Sequence, residues 1–181
     1  MAKNISSQIL CAIGENLASA QLLAHNWPTA NVNRSIPNFK GIDLYCQKDP
    51  NSVEVIGVQV KTVYVNSAMC GISCGVAANI SELQKHIVGP WIFVHIKNLV
   101  PLDVDYYILS RTQIINLLYE THKWYLYNYK RQPSQSLIDS PSALKIKWLQ
   151  GDDDNSPLAN IPFKNPYPKN IFLDNWDNLW R

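Results

Sequence analysis

The sequence predicts an α/β fold, a central mixed β-sheet flanked by helices, on three observations. Segments with apolar residues at helical spacing interchange along the chain with short alternating or continuously apolar runs. Two of the alternating runs, 42–46 and 53–63, are joined by Lys48-Asp49-Pro50-Asn51-Ser52 and read as a β-hairpin. The chain has 181 residues, 46% hydrophobic and 17% charged, enough for one domain with a sizeable core.

From Ser6 to His25 there is no proline, and Leu10, Ile13, Leu17, Ala20 and Ala24 follow helical spacing while Cys11, Ala18 and Leu22 fill the opposite side. This helix is apolar nearly all round and is expected to be buried. Glu15 is its one residue expected to be ionised, and a buried carboxylate is costly unless it is paired or holds a cation. Trp27-Pro28 ends the helix, Thr29 to Asn33 reads as a short strand, and Arg34 to Lys40 as a loop. In the hairpin, Ile42, Leu44 and Cys46 alternate with Asp43 and Tyr45. Ile56, Val58 and Val60 face one way, with Gly57, Gln59 and Lys61 facing the other. An ordinary register brings Asp43 and the Gln59/Lys61 face together on one side of the sheet.

Val65 to Val76 has no clear assignment. Ser81-x-x-Gln84 is a capping-box pattern opening a short helix that stops before Gly89-Pro90, and Trp91 to Ile96 has the continuous apolar character of a central strand covered on both faces. Tyr106 to Leu109 is a further strand, and Ser110-x-x-Gln113 opens a helix carrying Ile114, Ile115 and Leu118. These elements form a core domain over residues 1–130. Six of the eleven prolines lie between Pro133 and Pro168, so residues 131–181 read as a Pro-rich, loop-rich extension packing on that core. Within it, Leu144 to Leu149 reads as an edge strand and Ile171 to Trp180 as a short amphipathic helix anchored by Trp176 and Trp180. Asp152-Asp153-Asp154 reads as a solvated turn.

No apolar run approaches the length of a bilayer span, and the N-terminus has no export pattern, so a cytoplasmic location is expected. A net charge of +2 does not by itself announce a nucleic-acid partner. The four cysteines, Cys11, Cys46, Cys70 and Cys74, read as reduced thiols. Cys70-x3-Cys74 could supply two zinc ligands, but there is no second cysteine pair, and His86 lacks a histidine at metal-binding spacing.

Gly14-Glu15 on the first helix, Gly41-Ile42-Asp43-Leu44 on one strand and Gln59-Val60-Lys61-Thr62 on the next resemble the PD-(D/E)xK nuclease superfamily. Within it they are most similar to the branch with Mrr-like restriction enzymes and archaeal Holliday-junction resolvases, over roughly Ile9 to Leu109. The resemblance implies a restriction-endonuclease-like core and Mg2+- or Mn2+-dependent hydrolysis of DNA phosphodiesters, in defence, repair or mobile-element biology. Its catalytic set is Glu15, Asp43, Gln59 and Lys61. The metal would be held by Asp43, the Gln59 amide oxygen, the Val60 carbonyl and Glu15.

The chemistry is consistent with that set. Phosphodiester cleavage needs a hard cation with oxygen ligands, which offsets charge on the phosphoryl oxygens and lowers the pKa of the attacking water. A lysine two residues from the metal-binding position would orient or deprotonate that water. Glutamine where a carboxylate usually stands removes an attraction of several kcal/mol before desolvation, so free protein is expected to bind Mg2+ weakly and Glu15 gains importance. Without a metal, Asp43 and Lys61 would be a cross-strand ion pair worth up to about 1 kcal/mol, and the chain a catalytically inactive module binding DNA or a protein partner.

Two further groups of residues bear on partners. Trp124, Tyr125, Tyr127 and Tyr129 interleave with Lys130 and Arg131; the aromatics read as the edge of the core, and the two basic residues as candidate DNA-backbone contacts. Cutting both strands takes two sites, which a homodimer would supply.

Overall fold

The computed structural model describes residues 5–33, 41–65, 69–72, 74–77, 79–128, 142–157 and 159–181. The expected loop 34–40, the Cys70 and Cys74 side chains, and Tyr129, Lys130 and Arg131 lie outside the described residues. Among the described residues, five strands form a mixed sheet: β1 (Thr29–Asn31), β2 (Leu44–Gln47), β3 (Val55–Tyr64), β5 (Trp91–Leu99) and β6 (Leu102–Leu109). Their order is β1-β2-β3-β5-β6, with β3 and β5 parallel and the other neighbours antiparallel. Strand β4 (Met69–Ile72) pairs with β7 (Ser142–Leu144) in a second, two-stranded sheet.

Helices cover both faces of the larger sheet, as strand alternation requires. In β5, Ile92, Val94 and Ile96 pack with Val58, Val60 and Leu44 toward α1 (Ser7–Ala24). Trp91 and Phe93 join Val63 on the other face, under α3 (Ile80–His86) and α4 (Arg111–Asn128). The short α2 (Cys74–Ala77) and α3 lie in the crossover from β3 to β5. Among the described residues no helix is long and apolar enough to cross a membrane.

The caps explain where the helices begin. The Ser6 hydroxyl accepts from Ile9 N at 3.3 Å. Ser110 and Gln113 form the expected capping box, Ser110 N donating to Gln113 Oε1 at 2.8 Å and Gln113 N to Ser110 Oγ at 3.4 Å. For α3 the cap is Asn79 rather than Ser81: Asn79 Oδ1 accepts from Ser81 N at 2.9 Å and so starts the helix earlier. The expectation that α1 is buried nearly all round is corrected. Gly14, Ala18 and Leu22 are buried against the sheet, whereas Ile9 and Leu23 are 56% and 57% exposed and Cys11 is also exposed. Among the described residues no further layer covers that outer face. Cys46, by contrast, is a free, buried thiol that burial pushes up to about 11, which suits a packing role.

The C-terminal region contributes to both layers. Phe163 and Phe172 enter the core beneath α4, while Trp176 and Leu179, in a 3-10 helix (Trp176–Trp180), enter the core beside α1. The helix expected from Ile171 is therefore shorter; Asn170 and Asp174 take left-handed φ values of 58° and 48°, which helical backbone does not allow. The expected edge strand over Leu144 to Leu149 is also corrected. Strand β7 stops at Leu144 and α5 (Ile146–Leu149) follows, burying Trp148 and Leu149 together.

Asp154 is not part of a solvated turn. It is 1% exposed, with Lys145 Nζ and Lys147 Nζ at 2.9 and 2.5 Å from its two oxygens. Burial alone would raise its pKa, but hydrogen bonds from Lys147 and Lys145 outweigh that and hold it below the usual carboxylate range. Because the folded pKa is the lower one, this stabilisation is complete above the ordinary carboxylate pKa and fades as pH falls through the folded value. Asp154→Ala is expected to lower stability at neutral pH by about 2 kcal/mol, a value discounted because both lysines can reach water. Urea titrations at neutral and strongly acidic pH check this: the difference between wild type and variant should shrink on acidification.

Candidate functional site

Strand β2 begins at Leu44, opposite Val58, and one residue earlier the ladder changes character. Asp43 N still donates to Val58 O at 2.9 Å, but the next acceptor, for Val60 N, is the Asp43 side chain: Oδ2 lies 2.7 Å from that nitrogen. Val32 N donates to Asp43 O at 2.9 Å from the β1 side. The Asp43 carboxylate thus lies along the edge of β3, in the plane of the ladder, where a backbone carbonyl would otherwise be.

Glu15 reaches the same place from α1. Asn33 Nδ2 donates both to Asp43 Oδ1 at 2.9 Å and to Glu15 Oε1 at 3.1 Å, and Asn31 Nδ2 donates to Glu15 Oε2 at 2.8 Å. One amide nitrogen bridges the two carboxylates, so their oxygens are within two hydrogen-bond lengths of each other. Gly14 makes this approach possible. A Cβ built on it would lie 1.8 Å from Thr62 Oγ1, so only glycine lets α1 sit this low on β3 and set Glu15 beside Asp43.

The main chain adds a third oxygen. Gln59 N donates to Pro90 O at 3.1 Å and Val65 N to Ile96 O at 3.0 Å, so the odd-numbered residues of β3 bond toward β5. The even-numbered ones then turn their N–H and C=O groups the other way, and the Val60 carbonyl points beyond the start of β2, toward the Asp43 edge. Two carboxylates and a carbonyl are hard oxygen donors, the type that Mg2+ and Mn2+ prefer. Among the described residues no three His, Cys, Asp or Glu side chains group as a metal site. A cation at this edge would therefore need amide, main-chain or phosphate oxygens to complete its shell.

Gln59 and Lys61 are partly buried on the opposite face of the strand, with Val63 and the layer under α3 and α4. Lys61 Nζ lies 5.5 Å from the centroid of the Trp91 ring, a cation–π contact, and among the described residues it makes no ion pair with Asp43 or Glu15. The convergence expected from strand alternation is thus corrected. Asp43 precedes β2 and follows the ladder instead of the pleat, so the Asn33 amide links it to Glu15, while Gln59 and Lys61 alternate to the far side, where Lys61 Nζ meets the Trp91 ring. Asn31, the last residue of β1, and Asn33, two residues beyond it, were missed by sequence reasoning, since a neutral amide carries no charge to mark it. Of the aromatic group, Trp124 is buried and donates from Nε1 to Ile161 O at 2.6 Å, while Tyr127 is exposed.

Comparisons with family models, with curated proteins and with solved structures found no match to this chain.

Proposed function

We propose that this chain is a Mg2+- or Mn2+-dependent DNA endonuclease with a restriction-endonuclease-like core, acting in the cytoplasm. The observation that carries this reading is the pair of carboxylates, Glu15 and Asp43, sharing the Asn33 amide at the β3 edge to which the Val60 carbonyl points. Asp43, Glu15 and the Val60 carbonyl would hold the cation. The bound ion would supply charge neutralisation at the phosphoryl oxygens and a more acidic water.

The residues themselves supply the rest of the chemistry. Asn31 and Asn33 donate to the carboxylates and keep their mutual repulsion in check while no cation is bound. Because those amides already satisfy the oxygens, and because Gln59 brings no charge, the free protein should hold metal weakly and bind it more tightly beside a DNA phosphate. Lys61 is not neutralised by a carboxylate among the described residues. Its flexible stem can carry the ammonium from the Trp91 face around the edge to offset charge developing at phosphorus.

Incubating the full chain with supercoiled plasmid and Mg2+ or Mn2+ tests the proposal. Nicking that stops with EDTA and falls at least about tenfold in Lys61→Ala is expected. A second reading has its own observation: all four oxygens of Glu15 and Asp43 accept from protein donors, and Lys61 lies on the other face. On that reading the cluster locks α1 to the hairpin of a non-catalytic module that binds DNA or a protein partner. No nicking of any DNA form, or nicking unchanged in Lys61→Ala, would favour it.

A further inference from the structure

The outer face of α1 repeats itself in reverse. Ile9, Ala12, Asn16, Ala20 and Leu23 are all exposed, and their spacings of three, four, four and three residues put them on one face of the helix. Read outward from Asn16, the residues seven away are Ile9 and Leu23, and those four away are Ala12 and Ala20. The stripe therefore has the same sequence of side-chain types in both directions. A surface with that symmetry is complementary to a copy of itself running the opposite way.

We propose that this face is the contact surface of a homodimer, two copies pairing their α1 helices antiparallel about a two-fold axis through Asn16. Ile9 of one copy would meet Leu23 of the other, the paired alanines would let the backbones approach, and the polar residue at the centre would fix the register. Charge favours the same occupant. Glu15, the one charged residue in Ser7–Ala24, is turned to Asn31 and Asn33, so the stripe carries no charge to repel its own copy. Nor does α1 carry the lysines or arginines with which an interfacial helix holds a lipid surface. Five side chains, only two of them large, fall well short of the roughly 800 Å2 per partner of a standard interface, so the dimer should be weak, with Kd in roughly the 10–100 µM range. This inference does not depend on the nuclease reading.

Sedimentation velocity of the full chain over a concentration series is the test, with Leu23→Lys as the disrupting variant, since Leu23 is exposed and its replacement spares the core. The second variant, Cys11→Ser/Asn16→Cys, is oxidised mildly and mapped by mass spectrometry. We expect a mass that doubles with concentration, dimerisation weakened at least about tenfold in Leu23→Lys, and a disulfide joining position 16 of two chains. A chain that stays monomeric up to about 1 mM, well above that Kd range, would overturn the proposal. So would a dimer that Leu23→Lys leaves intact with no link at position 16, or a monomer that binds phosphatidylcholine vesicles through this face.

Discussion

Asp43→Asn is expected to lose plasmid nicking by at least about 100-fold while the protein stays folded. The variant retains an oxygen that can accept from Val60 N, so the start of the β2–β3 ladder is preserved. What disappears is the negative charge beside Glu15, and with it half of the attraction available to a cation at the β3 edge. Asp43→Ala should show the same loss of nicking together with lower stability, because the Val60 N–H is left without its acceptor, at about 1–3 kcal/mol for a buried donor. Measuring nicking and urea denaturation on both variants separates the electrostatic role from the structural one. Equal nicking by Asp43→Asn and wild type would contradict a catalytic site at Asp43.

Gly14→Ala is expected to have the largest effect on the fold itself, lowering stability by about 3 kcal/mol or more. The added methyl would lie 1.8 Å from Thr62 Oγ1 and 2.8 Å from Thr62 Cβ. Rotating Thr62 can move its hydroxyl but not its Cβ, so α1 must lift from β3. That shift would carry Glu15 away from Asn31 and Asn33, and any surviving folded protein should nick poorly. Gly89→Ala is the useful comparison. Its Cβ would lie 2.0 Å from the backbone oxygen of Gly57, a clash that does not involve α1 and should destabilise without separating the two carboxylates. Thermal denaturation of both variants, followed by nicking at a temperature where each is folded, checks the distinction.

The parts of the fold legible in the sequence are those set by local rules. Helix α1, the hairpin with its Asp49-Pro50 turn, the apolar strand from Trp91 and the Ser110/Gln113 cap all follow from periodicity, turn chemistry and capping. What was not legible depends on partners far along the chain. Composition makes α1 apolar on all sides, but only the tertiary arrangement decides that Ile9 and Leu23 have no layer over them. Three consecutive aspartates read as solvated until Lys145 and Lys147 are brought to Asp154. At the candidate site, Glu15 could be named from charge in an apolar context, and Asp43 from the Gly41-Ile42-Asp43-Leu44 motif that carries the resemblance. Asn31 and Asn33 could not, because an amide gives no signal until it is seen to bridge two carboxylates. The Gln59/Lys61 face was misjudged for a specific reason: alternation describes residues inside a strand, and Asp43 stands just outside one.

The Asn33 amide between two carboxylates is the centre of the site, since a hydrogen-bond donor sits where a cation would be drawn. The most direct measurement is a crystal of the full chain with a DNA duplex and Mn2+, with the metal located by anomalous scattering. A Mn2+ peak bound by Asp43, Glu15 and the Val60 carbonyl is expected, with the Asn33 nitrogen displaced from at least one carboxylate. No peak at that edge, with Asn33 still bridging Glu15 and Asp43 beside bound DNA, would contradict the proposed site.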